Sequence, residues 1–119
     1  MNTKRQNSIR LAQKETTIFR SVSQIFHSLH LYVPKIISLT IVKVSLSPDL
    51  SVAKIFLYAP EGKSFVDEII QQILPYVPSM RKSLSNLVEL RKTPKLYMVY
   101  DAQYEKQVKI EQLRDKANA

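Results

Sequence analysis

Arg81, Lys82, Arg91, Lys92 and Lys95 crowd one short stretch, with Glu89 the only acid among them. Guanidinium and ammonium groups at this density suit the phosphates of a polyanion, and they equally suit a plain solvated surface. Arg10, Lys14 and Arg20 form a second basic set along the first predicted helix. Tyr76 lies between Pro75 and Pro78, where a ring is free to stack on a base. Tyr97 and Tyr100 fall in a strand pattern and read as packing residues. His27 and His30 are three apart on a helix, but no carboxylate or thiol stands near them in sequence, so they read as ordinary histidines and no metal is expected. Asp49 fits a turn and Asp101 a strand end. No Ser/His/Asp set and no paired carboxylates stand out, so an enzyme is not expected.

Composition narrows the classes further. The 119 residues carry a formal charge of +8, and the isoelectric point is about 9.8. This balance favours nucleic acid first and an acidic membrane surface second. Gly62 is the single glycine, too few for a phosphate-cradling loop or a dinucleotide fingerprint. Cysteine is absent, which removes disulfides and thiolate metal sites. No apolar run is long enough to span a bilayer, and residues 1–6 are polar and basic with no hydrophobic segment behind them. A cytoplasmic protein without cofactor or small-molecule substrate is expected.

The elements that must position these residues centre on a hairpin. Residues 36–46 and 51–59 are rich in β-branched and aromatic side chains, and Ser47-Pro48-Asp49 between them is a turn. The alternation slips from Ile37, Leu39 and Ile41 to Val44 and Leu46, which predicts a bulge at Val42 or Lys43. Ala53, Ile55, Leu57 and Ala59 make one face of the second strand; Lys54, Phe56 and Tyr58 make a more exposed one. Residues 1–6 read as a flexible basic tail. Residues 7–31 read as a helix with a stripe of Leu11, Ile18, Val22, Ile25, Phe26 and Leu29.

After Pro60-Glu61-Gly62, Ser64 reads as a helix N-cap with Asp67 at the capping-box position. Phe65, Val66, Ile69, Ile70, Ile73 and Leu74 form the buried stripe of that helix. Pro75, Tyr76, Val77 and Pro78 form an elbow, and a second helix starts near Pro78 with Met80, Leu84, Leu87 and Val88 inward. Residues 96–100 read as a third strand, and residues 103–119 as a last helix or a partly disordered tail. The predicted architecture is one α+β domain over residues 7–101. Its order is α-β-β-α-α-β, a three-stranded sheet covered on one face by helices.

That order, with an elbow between the middle helices, resembles a type II KH domain. Residues 42–56 (VKVSLSPDLSVAKIF) resemble the signature of the ribosome-binding factor A family. The family reads valine, variable, valine, two variable residues, Ser, variable, Asp-Leu, then Ala-Lys-Val-Tyr. A second block resembles the family's helix and following strand. It comprises Met80-Arg81-Lys82-Ser83-Leu84, then residues 90–96 (LRKTPKL), then Asp101. Arg10 and Glu15-Thr16 sit where the family's first helix opens. The family's Ala-x-Gly elbow corresponds here to Tyr76-Val77-Pro78, and its Asp-Pro-Arg after the first helix to Val33-Pro34-Lys35.

The resemblance implies a non-enzymatic factor that binds 16S ribosomal RNA in the immature small (30S) subunit. Such a factor supports late maturation and 5′-end processing and matters in cold adaptation. RNA contact is then expected at Arg81, Lys82, Arg91, Lys92, Lys95, Tyr76, Arg10 and Lys14, in a monomer. Charge reversal at Arg81 and Lys82 is expected to weaken binding and to leave thermal stability little changed. Two other classes stay open: a general single-strand RNA or DNA binder, and a protein-interaction module using the Phe56–Tyr58 face.

Overall fold

A computed structural model describes residues 3–117. The hairpin forms as β1 (Thr40–Leu46) and β2 (Val52–Tyr58), antiparallel, with Thr40 opposite Tyr58 and Leu46 opposite Ala53. The register shifts between Ile41 and Lys43, so Val42 is the extra residue of the predicted bulge. Beyond it Val44 and Leu46 turn into the core with Ala53, Ile55 and Leu57.

The turn is held by one carboxylate. Asp49 Oδ1 accepts from the hydroxyls of Ser47 and Ser51, each at 2.7 Å, and from the Ser51 N–H at 3.2 Å. Ser47 Oγ accepts from the Val52 N–H at 3.0 Å. The Leu50 N–H donates to the Ser47 carbonyl at 2.9 Å, which holds Leu50 at the left-handed φ of 63° that a leucine rarely adopts. The hydroxyls of Ser47 and Ser51 lower the Asp49 pKa to about 2.

The first strand is shorter than predicted. Residues 34–38 form a 3₁₀ turn, Pro34–Ser38, with Pro34 at its start, where a fixed φ and a missing N–H cost nothing. The turn sends Ile36 into the core and leaves Ile37 exposed.

Helix α1 (Thr3–Leu29) buries Ile18, Val22, Ile25, Phe26 and Leu29 as predicted. It begins at Thr3, so residues 3–6 are helical where a flexible tail was expected. No proline or glycine interrupts them, and each added residue extends the hydrogen-bond ladder at little cost. Residues 1 and 2 of that expected tail lie outside the described residues. Glu15 Oε2 accepts from the Leu46 N–H at 2.8 Å, tying α1 to the end of β1.

Helix α2 (Lys63–Ile73) is entered through Gly62, at φ 96°, and not through Ser64. The left-handed glycine closes the Pro60-Glu61 turn and places Ser64 one residue inside the helix, past the capping position. Asp67 pairs instead with Lys63 at 2.7 Å, on the exposed face.

Leu74 belongs to a 3₁₀ turn, Leu74–Tyr76, that separates α2 from α3 (Val77–Leu87). The tighter pitch rotates Leu74 off the buried stripe, and it is exposed where burial was expected. Leu87 is also half-exposed; Leu84 and Val88, one turn apart, take the core face.

Strand β3 (Lys95–Tyr100) runs parallel to β2, giving the order β1-β2-β3. The α2–α3 pair supplies the crossover that a parallel pair requires. Helices α1, α2 and α3 pack with Ala53, Ile55 and Leu57, so the α+β architecture is as predicted.

Residues 102–117 are helical throughout, as α4 (Ala102–Ala117), which resolves the helix-or-tail alternative as far as Ala117. Asp101 sets where it starts. Its N–H donates to the Leu57 carbonyl at 2.8 Å, ending the sheet, and its Oδ1 accepts from the Tyr104 N–H at 2.9 Å, capping the helix. Tyr104 meets Tyr58 edge-on at 5.0 Å, and Tyr58 stacks with Tyr100 at 6.1 Å. The Tyr100 hydroxyl is buried and makes no hydrogen bond. Burial, with the charge of nearby Glu105 adding to it, pushes its pKa up to about 12. Among the described residues no helix is long and apolar enough to cross a membrane.

Candidate nucleic-acid interface

The basic residues come from three places in sequence, and one hydrogen bond explains why most of them meet. The Lys95 N–H donates to the Ser51 carbonyl at 2.9 Å, so β3 starts beside the β1–β2 turn. The segment before it therefore lies against that turn. Arg91 and Lys92 line a cleft of about 620 Å³ together with Lys14 of α1 and residues 49–51 of the turn. Lys14, Arg91, Lys92 and Lys95 are all exposed. Arg10, also exposed, stands one turn before Lys14 on α1. Two acids share the cleft, Asp49 and Glu89. Asp49 is turned to the hydroxyls of Ser47 and Ser51, and the three cations of the lining outnumber the two acids.

Arg81 behaves differently from its neighbours. Its Nε donates to the Pro94 carbonyl at 3.1 Å and its Nη2 to the Thr93 carbonyl at 2.9 Å. The side chain is half-buried and clamps α3 to the segment that leads into β3. The expectation that reversing its charge would spare stability does not hold, because a carboxylate there would face two carbonyl oxygens. Lys82, on the exposed side of α3, carries no such tie among the described residues.

The elbow is built without glycine. Pro75 stands at the start of the 3₁₀ turn and Pro78 at the start of α3, the two places where a missing N–H is harmless. Backbone angles from Ile73 to Val77 stay right-handed, with Tyr76 at φ −93°, ψ −3°. Nothing here demands the freedom of glycine, which accounts for Tyr76-Val77-Pro78 in its place.

Tyr76 does not join the basic cleft. It lines a separate groove between α1 and α3 and packs on Tyr32, ring centroids 5.8 Å apart. Tyr32 was missed in the sequence because it follows the helix as an isolated aromatic with no periodic pattern. The convergence of Lys14 on Arg91 and Lys92 was missed as well, since only the parallel strand pairing creates it.

The Phe56–Tyr58 face is already engaged. Lys43 Nζ lies 4.7 Å above the Phe56 ring, and Tyr58 is flanked by Tyr100 and Tyr104. His27 and His30 are exposed, and the described residues hold no group of three or more His, Cys, Asp or Glu suited to a metal.

A sequence profile of the family described as ribosome-binding factor A matches residues 10–114. Curated relatives carry the same description. The one from Azoarcus sp. (strain BH72) is 31% identical over 84 residues, covering 71% of this chain and 67% of the relative. The one from Mycoplasmopsis pulmonis is 30% identical over 106 residues, covering 89% of this chain and 91% of the relative. The one from Phenylobacterium zucineum is 32% identical over 79 residues; there the match spans 66% of this chain and only 54% of the relative. Among solved structures, the crystal structure of ribosome-binding factor A from Thermus thermophilus superposes with a TM-score of 0.66 at 21% identity. The overlap covers 76% of this chain and 94% of that one, a likeness of fold.

Proposed function

The chain belongs to the ribosome-binding factor A family, and on that premise we propose that it is a ribosome assembly factor. It docks on 16S rRNA in the immature small subunit and supports late maturation of the 5′ end. The work is done by binding, with no covalent step. Residues 7–101 are the binding unit, acting as a monomer in the cytoplasm.

The observation that carries the reading is the gathering of Lys14, Arg91, Lys92 and Lys95 around the β1–β2 turn. Cations from α1 and the α3–β3 segment line one cleft, and Lys95 starts β3 beside the same turn, where a sugar-phosphate backbone can reach them. Arg10 extends the row, Lys82 stands on α3, and Arg81 adds its remaining donors from the clamp. Tyr76 offers a ring to a base at the elbow.

Sedimentation of cell extract on a sucrose gradient tests the reading. The protein is expected with free small subunits and absent from whole ribosomes. On isolated RNA, four phosphate contacts give a slope of log K against log salt of about −3, and the Arg91→Ala, Lys92→Ala double variant lowers its magnitude by about 1.4. A protein that binds arbitrary RNA as tightly as small subunits at physiological salt is a general single-strand binder and overturns the ribosomal assignment.

A further inference from the structure

We propose that the groove between α1 and α3 holds one unstacked nucleobase of single-stranded RNA, with the Tyr32–Tyr76 pair as its stacking platform. The inference rests on the RNA-binding reading above and adds a base site apart from the phosphate cleft.

The groove measures about 420 Å³, within the range of small-molecule clefts. The Tyr32 and Tyr76 rings already touch, 5.8 Å apart and tilted by 32°. A base therefore lies on the pair and not between its rings. Tyr32 is 68% exposed and presents its free surface to solvent. The floor is apolar, from Ile25, Leu29 and Met80.

The walls carry what a base edge needs. Gln24 on α1 and Asn86 on α3 offer amides, each both donor and acceptor, and Ser83 a hydroxyl. Among the described residues no hydrogen bond engages these three side chains. Exposed cations flank both walls: Arg20 stands one turn before Gln24, and Lys82 one residue before Ser83. An aromatic platform with amides on its rim and cations beside it is the chemistry by which single-stranded RNA is read.

The test measures anisotropy of a short mixed-sequence oligoribonucleotide and of the same backbone without bases, using the full chain. Tyr32→Ala is expected to weaken binding of the base-bearing strand by about 5- to 150-fold, the loss of one stacked base. The salt slope stays as in the parent, because no phosphate contact is lost. Tyr32→Phe keeps near-parent affinity, and the base-free strand binds equally to parent and to Tyr32→Ala. Equal affinity of parent and Tyr32→Ala for the base-bearing strand overturns the base site. If the Arg91→Ala, Lys92→Ala variant still flattens the salt slope, the phosphate cleft stands without it; if that variant too is unchanged, the RNA-binding reading fails with it. A groove that loses a salt-insensitive protein partner on Tyr32→Ala, and loses no RNA, also overturns the proposal.

Discussion

Replacing Arg81 by alanine should cost stability in a way that replacing its neighbour Lys82 does not. The Arg81 guanidinium makes two hydrogen bonds, at 2.9 and 3.1 Å, to consecutive carbonyls of the segment entering β3. A hydrogen bond from a charged group contributes about 1.5–3 kcal/mol net. These two share one rigid fork on a half-buried side chain, and water can reach the carbonyls once it is gone, so the expected loss is about 2–4 kcal/mol. A domain of this size has a total stability of roughly 6–18 kcal/mol, so the change is large. Urea unfolding followed by circular dichroism measures it. With a slope of about 2 kcal/mol per molar, the midpoint falls by about 1–2 M. Lys82→Ala should stay within about 0.5 kcal/mol of the parent. Arg81→Lys keeps the charge and loses the fork, and should recover less than half of the loss. A midpoint shifted by less than about 0.2 M in Arg81→Ala, with RNA affinity reduced, would refute the clamp and return Arg81 to the phosphate-binding set.

Two further outcomes follow from single carboxylates. Asp101→Ala removes the cap of α4 and should cost about 1 kcal/mol, with a drop in helical signal, while Asp101→Asn keeps most of both; equal helicity in all three would show that α4 stands without its cap. Asp49 has a depressed pKa, about 2 in the fold against an ordinary 3.8, so the stability it contributes is complete above pH 4 and is lost as pH falls toward 2. Asp49→Asn should flatten that part of the acid unfolding profile, and a profile identical to the parent's would show that the Ser47 and Ser51 contacts do not persist in solution.

How much of this was legible in the sequence depends on the range of the interaction concerned. The hairpin, its bulge and its Ser-Pro-Asp turn were readable because strand alternation and turn chemistry are local. The core of α1 was readable for the same reason. Ser64 misled because its type and its spacing to Asp67 fit a capping box, whereas the backbone angle of Gly62, one of the few residues at ease at φ 96°, decided where α2 begins. Leu74 misled because a helical period was carried into a 3₁₀ turn. Proline was readable as a break, yet Pro34 did more than end a helix: it converted residues that looked like strand into a turn that buries Ile36.

The candidate site divides along the same line. Charge density pointed to Arg81, Lys82, Arg91, Lys92 and Lys95 as one set, but density says nothing of which donors are already used. The fold separates them by a single criterion, the presence of backbone carbonyls within reach. Arg81, one turn into α3, faces the chain that returns to β3 and is drawn into it. Arg91, Lys92 and Lys95 lie on or beyond that returning chain and are exposed, and Lys14 meets Arg91 and Lys92 from α1. The clamp and the cleft are thus parts of one arrangement. Arg81 fixes the segment on which the free cations are displayed, so its loss should weaken phosphate binding indirectly, by loosening Arg91 and Lys92, as well as through any contact of its own.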